Sequence, residues 1–184
     1  MCRPGWPPPT SERVALYDAE GRPAGETTRE RMRALNLTHA ATAVVVRDPT
    51  GRVHVHRRTT TKDLYPGRHD FAAGGVVAAG EDPYDAAVRE LAEELGVTGA
   101  ELQPIGTAHY GDDHTDHWGH LFTATWDGPV RLQPDEVAWG DWWSVDRLVA
   151  ALDAEPDAWM PDTAALLGGW LRALGAEEGR PAHR

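Results

Sequence analysis

Apolar and polar positions follow two rhythms along this chain, and each change of rhythm predicts an element. The run Thr42-Ala43-Val44-Val45-Val46 is apolar enough for a buried strand. A turn at Asp48 to Gly51 leads into RVHVHRR, where Val53 and Val55 alternate with His54 and His56 as in a strand with one inward face. Further strands are expected near 103–110, 118–126 and 138–144, and a hairpin over 13–27 turns around Glu20-Gly21. Thr27 or Thr28 is placed to cap a short helix, RERMRAL. Residues 62–72 form a loop with a turn at Pro66-Gly67.

A period of 3.6 takes over from Pro83 to Leu95. Asp82 is a good N-cap, Pro83 fits the first helical position, Asp85 adds negative charge to the first turn, and Gly96 supplies a left-handed stop. On that helix Tyr84, Val88, Leu91 and Leu95 fall on one stripe, which is expected to face the core. A short helix near 145–152 and a longer one from about Asp162 to Leu174 follow, the latter with Leu167, Trp170, Leu171 and Leu174 on one face. Strands on both sides of a central helix, with another helix late, predict an α/β sandwich with a mixed sheet between helices.

Composition narrows the class. The chain has 184 residues, 41% hydrophobic and 26% charged, an ordinary globular mix with room for a sizeable core. Residues 11–175 read as one domain, divided into a hairpin and short helix (11–38) and a core (39–175). Proline-rich residues 1–10 are expected to be disordered and 176–184 a loose tail. The formal net charge of −11 disfavours nucleic-acid polymers and membrane surfaces as partners. It does not disfavour a small phosphorylated substrate, because bound divalent cations invert the local field. The only cysteine is Cys2, and neither a membrane-length apolar run nor a signal-peptide core is present, so a reducing cytoplasm is the expected location.

The chemistry concentrates in GVVAAGEDPYDAAVRELAEELGV, residues 75 to 97. Glu90, Glu93 and Glu94 fall within an arc of about 100° on the helix side away from the apolar stripe. Carboxylates at these spacings repel one another on a bare helix. Cations that neutralise them make the cluster tolerable, and hard oxygen ligands suit Mg2+ or Mn2+. Arg89 lies beside Glu93 on the helical wheel and is placed to pair with Glu81, bracing the loop that enters the helix. A solvated acidic face is the plain alternative for the three glutamates alone. Gly75, Glu81, Arg89 and Gly96 at fixed spacing decide against it.

That spacing resembles the Nudix box, G-x5-E-x7-R-E-U-x-E-E-x-G-U with U apolar, at every fixed position. The resemblance implies a Nudix-type α/β/α sandwich. It also implies a metal-dependent hydrolase that cuts a diphosphate linkage in a nucleoside-diphosphate-X or related small diphosphate. It assigns Glu90, Glu93 and Glu94, with the Gly75 carbonyl, to the metal. A general base would be Glu93 or Glu94 within the box, or a loop carboxylate; Glu136 is the leading loop candidate, with Asp113 and Asp116 behind it. Family members often form homodimers. Nucleotide sugars, dinucleotides, coenzyme diphosphates and prenyl diphosphates all fit the box.

Over roughly residues 13 to 171 the chain also looks like the Nudix branch related to type I isopentenyl diphosphate isomerase. Arg29, Arg58 and Lys62 fall where that isomerase contacts its diphosphate, and His39 matches one of its metal-binding histidines. The isomerase needs a cysteine where this chain has Gly74 and a glutamate near where it has His117, and it lacks the first box glutamate, here Glu90. Isomerisation is thus the weaker alternative, beside a ligand-sensing module that keeps the box without turnover. His114, His117 and His120 with neighbouring aspartates resemble a transition-metal tract, but a strand does not bring every third residue to one face; a pocket-rim loop is the expected reading.

Overall fold

The computed structural model describes residues 12–178. A hairpin of β1 (Arg13–Tyr17) and β2 (Pro23–Thr28) leads into α1 (Arg29–Leu35). The hairpin turns at Asp18 to Arg22, and the Thr28 hydroxyl caps α1 by accepting from the Arg31 amide. Then come β3 (His39–Arg47), β4 (Val53–Arg58), β5 (His69–Asp70) and α2 (Pro83–Leu95). The chain continues through β6 (Leu102–Gly111), β7 (Asp116–Thr125), β8 (Val137–Trp143), α3 (Val145–Ala154), a 3-10 turn (Pro156–Ala158) and α4 (Pro161–Glu178).

β3 organises the sheet. Its β-branched centre, Val44 to Val46, is almost wholly buried. Along one side it pairs in parallel with β7, from His39↔His117 to Arg47↔Thr125, and β7 pairs antiparallel with β6. Along the other side it meets β1 at Leu16↔His39, the segment 73–76 through Ala41↔Val76 and Val44↔Ala73, and β4 at Arg47↔Val53. β4 then carries β8 and β5. The result is a curled mixed sheet. α2 covers one face, packing Ala87, Leu91 and Leu95 on Val44, Val46 and Phe122. α3 and α4 cover the other, packing Leu148, Leu167 and Leu171 on Val45, Val53, Val55 and Leu121. The α/β sandwich expected from the pattern is the fold found. No helix among the described residues is long and apolar enough to cross a membrane.

Four local expectations change. On α2, Tyr84 and Val88 are 41% and 37% exposed, while Ala86, Ala87, Leu91, Glu94 and Leu95 are buried. The helix is rolled so that alanines, which permit close approach, meet the sheet and the larger residues sit at the rim. That roll carries Glu94 inward, whereas the spacing pattern put all three glutamates on the side away from the core. On β4 the histidines have no wet face. His54 lies 5.1 Å from Trp142 and His56 is buried beside it, so burial lowers their pKa values to about 4 and about 3. Within the loop expected at 62–72, His69 and Asp70 pair with β4 as β5. α4 runs on through Glu178, into the stretch expected as tail; residues 1–11 and 179–184 lie outside the described residues.

Candidate active site

The α2 ends are set by local chemistry. Asp82 accepts from the Tyr84 amide at 2.8 Å, and Gly96 closes the helix in the left-handed conformation. This fixes the phase at which Glu90 and Glu94 meet the segment before the helix. The Gly74 amide donates to Glu94 Oε2 at 3.2 Å. A Cβ on Gly75 would lie 2.6 Å from the Glu90 carboxyl, so any larger residue would push that carboxyl aside. A Cβ on Gly74 would overlap the Thr42 carbonyl oxygen, so no side chain fits there. The Gly75 carbonyl accepts from the Thr42 amide at 2.8 Å and keeps one lone pair free.

Arg89 joins the helix to its entering loop. Its Nε and Nη2 each donate to Glu81 at 2.9 Å, a two-pronged ion pair, and its Nη1 donates to Glu90 at 2.6 Å. Glu81 Oε2 in turn accepts from the Ala78 amide at 3.0 Å, which ties the loop backbone to the same pair. The hydrogen bonds from Arg89 hold the Glu81 carboxyl below its ordinary pKa.

The glutamates differ in environment. Glu94 is buried, and burial, followed by the charges of Glu90, Glu136 and Asp70, pushes its pKa well up. Burial also raises Glu90, against the pull of Arg89. Glu93 points outward, its side chain 55% exposed, with Arg89 Nη1 at 3.5 Å. Glu136, from the loop before β8, reaches the same region and pairs with Lys62 Nζ at 3.0 Å. Burial pushes its carboxyl up, but hydrogen bonding and charge from Lys62, with a hydrogen bond from Glu94, bring it below its ordinary value. Asp116 is engaged elsewhere, by His109 Nε2 at 2.9 Å, and Asp113 is exposed. Among the described residues, no three His, Cys, Asp or Glu side chains are arranged to hold a metal ion as they stand.

Gly74, Gly75 and Thr42 also line a cavity of about 120 Å³. Arg29, Arg58 and Lys62, picked out from the sequence, all line it. So do Arg33, Asp70 and Asp162, which sequence reasoning missed. Arg33 had a signal: Arg29 and Arg33 stand one turn apart on a helix anchored by buried Met32. Asp70 and Asp162 had none, because β5 and the start of α4 meet only in the folded chain. Burial, then the charge of Asp162, raises Asp70 to about 7. Burial raises Asp162 as well.

The histidine tract comes apart. His114 lies in an exposed turn with its ring 5.9 Å from Tyr65, and His120 contacts the Tyr17 hydroxyl at 3.2 Å on the opposite face of β7 from His117. His117 is buried in the cavity wall beside His39, ring to ring 5.6 Å, because the two are register partners on parallel strands. Burial lowers both to about 4, so both are neutral imidazoles at ordinary pH.

Comparison with known proteins places the chain in one family and one fold. The NUDIX domain model matches residues 37–163. The uncharacterized Nudix hydrolase orf19 of Rhodococcus erythropolis is 40% identical, with 88% of this chain and 93% of that protein covered. The uncharacterized Nudix hydrolase YfcD of Escherichia coli K12 is 37% identical over 89% of this chain and 88% of its own. Among solved structures, DR0079 from Deinococcus radiodurans has a TM-score of 0.72 at 25% identity, covering 85% of this chain and 97% of that one. A MutT protein from Methanosarcina mazei Go1, at 0.62 and 18% identity over 78% of this chain and 96% of its own, shares the fold.

Proposed function

This chain belongs to the Nudix hydrolase family, and on that premise we propose that it hydrolyses the diphosphate linkage of a small phosphorylated substrate with the help of Mg2+ or Mn2+. The observation that carries this reading is the buried carboxyl of Glu94 beside the half-buried one of Glu90. Both are held against Gly74 and Gly75, which themselves line a cavity with cationic residues on its wall.

Burying such carboxyls together is costly unless positive charge compensates them. Arg89 serves Glu90, and Lys62 reaches Glu136, but Glu94 is left with a raised pKa among like charges. That excess of hard oxygen donors fits a divalent cation. Glu90, Glu93 and Glu94, with the free lone pair of the Gly75 carbonyl, are the residues that would hold it. Glu90 would then release Arg89 Nη1, and Glu93 would turn in from solvent. The cation's contribution is to neutralise phosphate oxygens and to make a water more acidic.

The chain's own residues do the rest. Arg29, Arg58 and Lys62 bind and orient the diphosphate. Glu136 takes the proton from the attacking water: Lys62 keeps it ionised, and it neighbours Glu94. Arg89 and Glu81 position Glu90 and the 75–82 loop. The substrate is a small molecule and the location is the cytoplasm.

Isomerisation of isopentenyl diphosphate is disfavoured by one observation. It needs two positioned acid/base groups, and the Gly74 position, where the related isomerase has its cysteine, has no room for a side chain. Incubation with a panel of diphosphates and Mg2+, with products identified by mass, tests the assignment. Enzyme-dependent cleavage to two phosphorylated products, or to product plus phosphate, supports it. Formation of dimethylallyl diphosphate from isopentenyl diphosphate, or ligand binding without any turnover, would replace it.

A further inference from the structure

Resting on the hydrolase reading above, we propose that Arg33 completes an anion subsite with Arg29 and Arg58. This subsite selects diphosphate monoesters, which carry a free terminal phosphate, over diphosphates capped at both ends.

α1 is short and amphipathic. Met32 anchors it against Val14 and Val76, and this sets Arg29 and Arg33, one turn apart, on the wall of the cavity. Arg58 at the end of β4 and Lys62 in the following loop line the same cavity. Like charges one turn apart weaken a helix, and converging on a third guanidinium adds to the repulsion. In a chain whose net charge is −11, such a cationic cluster runs against the overall balance.

The partners in place do not use up these donors. Glu12 takes Arg29 at 2.9 Å, and Glu136 takes Lys62 at 3.0 Å. Among the described residues Arg33 has one ion pair, with Asp63, 3.6 Å from its Nε and itself 63% exposed. Arg58 gives one Nη2 hydrogen bond to the Leu64 carbonyl at 3.1 Å. Among the described residues, the buried Nε atoms of Arg33 and Arg58 and the Thr42 hydroxyl oxygen have no hydrogen-bond partner. Buried polar groups left without partners are costly and rare in folded proteins. Burial, followed by repulsion from Arg29 and Arg58, lowers the pKa of Arg33, with Asp63 and Asp162 acting against that. Asp63, Asp70 and Asp162 line the cavity too, but burial pushes Asp70 and Asp162 up, so they compensate the guanidiniums only partly.

Phosphate oxygens suit this set of donors, since guanidinium groups bind them in pairs. A cavity of about 120 Å³ is well below the roughly 300 Å³ at which drug-sized pockets begin, so it takes the phosphate end and leaves the remainder outside. A diphosphate capped at both ends presents one ionised oxygen per phosphorus. A monoester offers a further ionisable oxygen on the terminal phosphorus, and this extra charge matches the third guanidinium.

The test is metal-free calorimetry in EDTA with two probes, inorganic pyrophosphate and P1,P2-dimethyl diphosphate. The parent should bind pyrophosphate about tenfold tighter than the capped probe, and Arg33→Gln should remove about that factor for pyrophosphate alone. Arg31→Gln, on the exposed side of the same helix, should leave both affinities unchanged. If Arg33→Gln melts early, Arg33→Lys decides, because it keeps the charge and loses the fork; several-fold weaker pyrophosphate binding is expected. The proposal is overturned if the parent does not prefer pyrophosphate. It is equally overturned if the Arg33 variants match the parent, or if Arg31→Gln loses as much as they do. Pyrophosphate binding with no turnover of any substrate would leave the subsite standing and remove the hydrolase reading. Equal cleavage of capped and uncapped diphosphates would do the reverse.

Discussion

Glu94 is under two opposing demands. Its burial among Glu90, Glu136 and Asp70 disfavours the ionised form, yet a ligand for a divalent cation must be ionised. Glu94→Gln keeps the volume and can keep the bond from the Gly74 amide, while it removes the charge. Without metal, the variant is expected to melt about 2–6 °C higher than the parent, the range in which neutralising a buried charge stabilises a chain of this size. Thermal denaturation in EDTA checks this, and a clear loss of stability would show that the Glu94 charge is compensated in the free protein. The same residue marks what the sequence could not supply. Spacing grouped Glu90, Glu93 and Glu94 on one arc, but which of them turns inward depends on how α2 rolls against the sheet. Small Ala86 and Ala87 decide that roll, while the pattern gave weight to Tyr84 and Val88.

At the scale of elements, the legible parts are those written in local chemistry. Thr28, Asp82 and Gly96 fix the ends of α1 and α2 through bonds to residues a few positions away. The partnership of β3 with β7, which seats His117 beside His39, is non-local and had no sequence signature. The brace between Arg89 and Glu81 lies between these cases: its spacing is in the box, and the fold supplies its two-pronged geometry. It joins α2 to the 75–82 loop, so Arg89→Ala should cost about 1–3 kcal/mol, discounted for partial exposure, and should expose that loop to protease. Arg89→Lys should recover only part of the loss, because an ammonium cannot donate along both prongs. Limited proteolysis and chemical denaturation measure this, and loop cleavage at the parental rate in Arg89→Ala would remove the brace from the account.

Across the whole molecule, buried titratable groups pull stability in opposite directions with pH. His39, His54, His56 and His117 have folded pKa values of about 4, 4, 3 and 4, below the unfolded value near 6.5. Their contribution is present above pH 6.5 or so and is lost as pH falls toward 4. Asp70 is raised to about 7, so its contribution is complete below its unfolded pKa and is lost as pH rises through 7. Between these limits Asp70 partly offsets the histidines. Asp70→Asn removes the offset and should steepen acid destabilisation by about 1.4 kcal/mol per pH unit between roughly pH 4.5 and 6.5. Urea denaturation at both ends of that window measures the change, and parallel profiles for parent and variant would contradict the Asp70 assignment. Whether Glu94 and Glu90 of α2 serve metal-dependent hydrolysis is decided by the rate of cleavage of one accepted diphosphate, titrated with Mg2+, in the parent and in Glu94→Gln. The parent rate should rise saturably with Mg2+ and be abolished by EDTA, and Glu94→Gln at saturating Mg2+ should be at least ~100-fold slower. Cleavage at a comparable rate in the variant, or cleavage by the parent that is indifferent to Mg2+ and EDTA, would contradict that role.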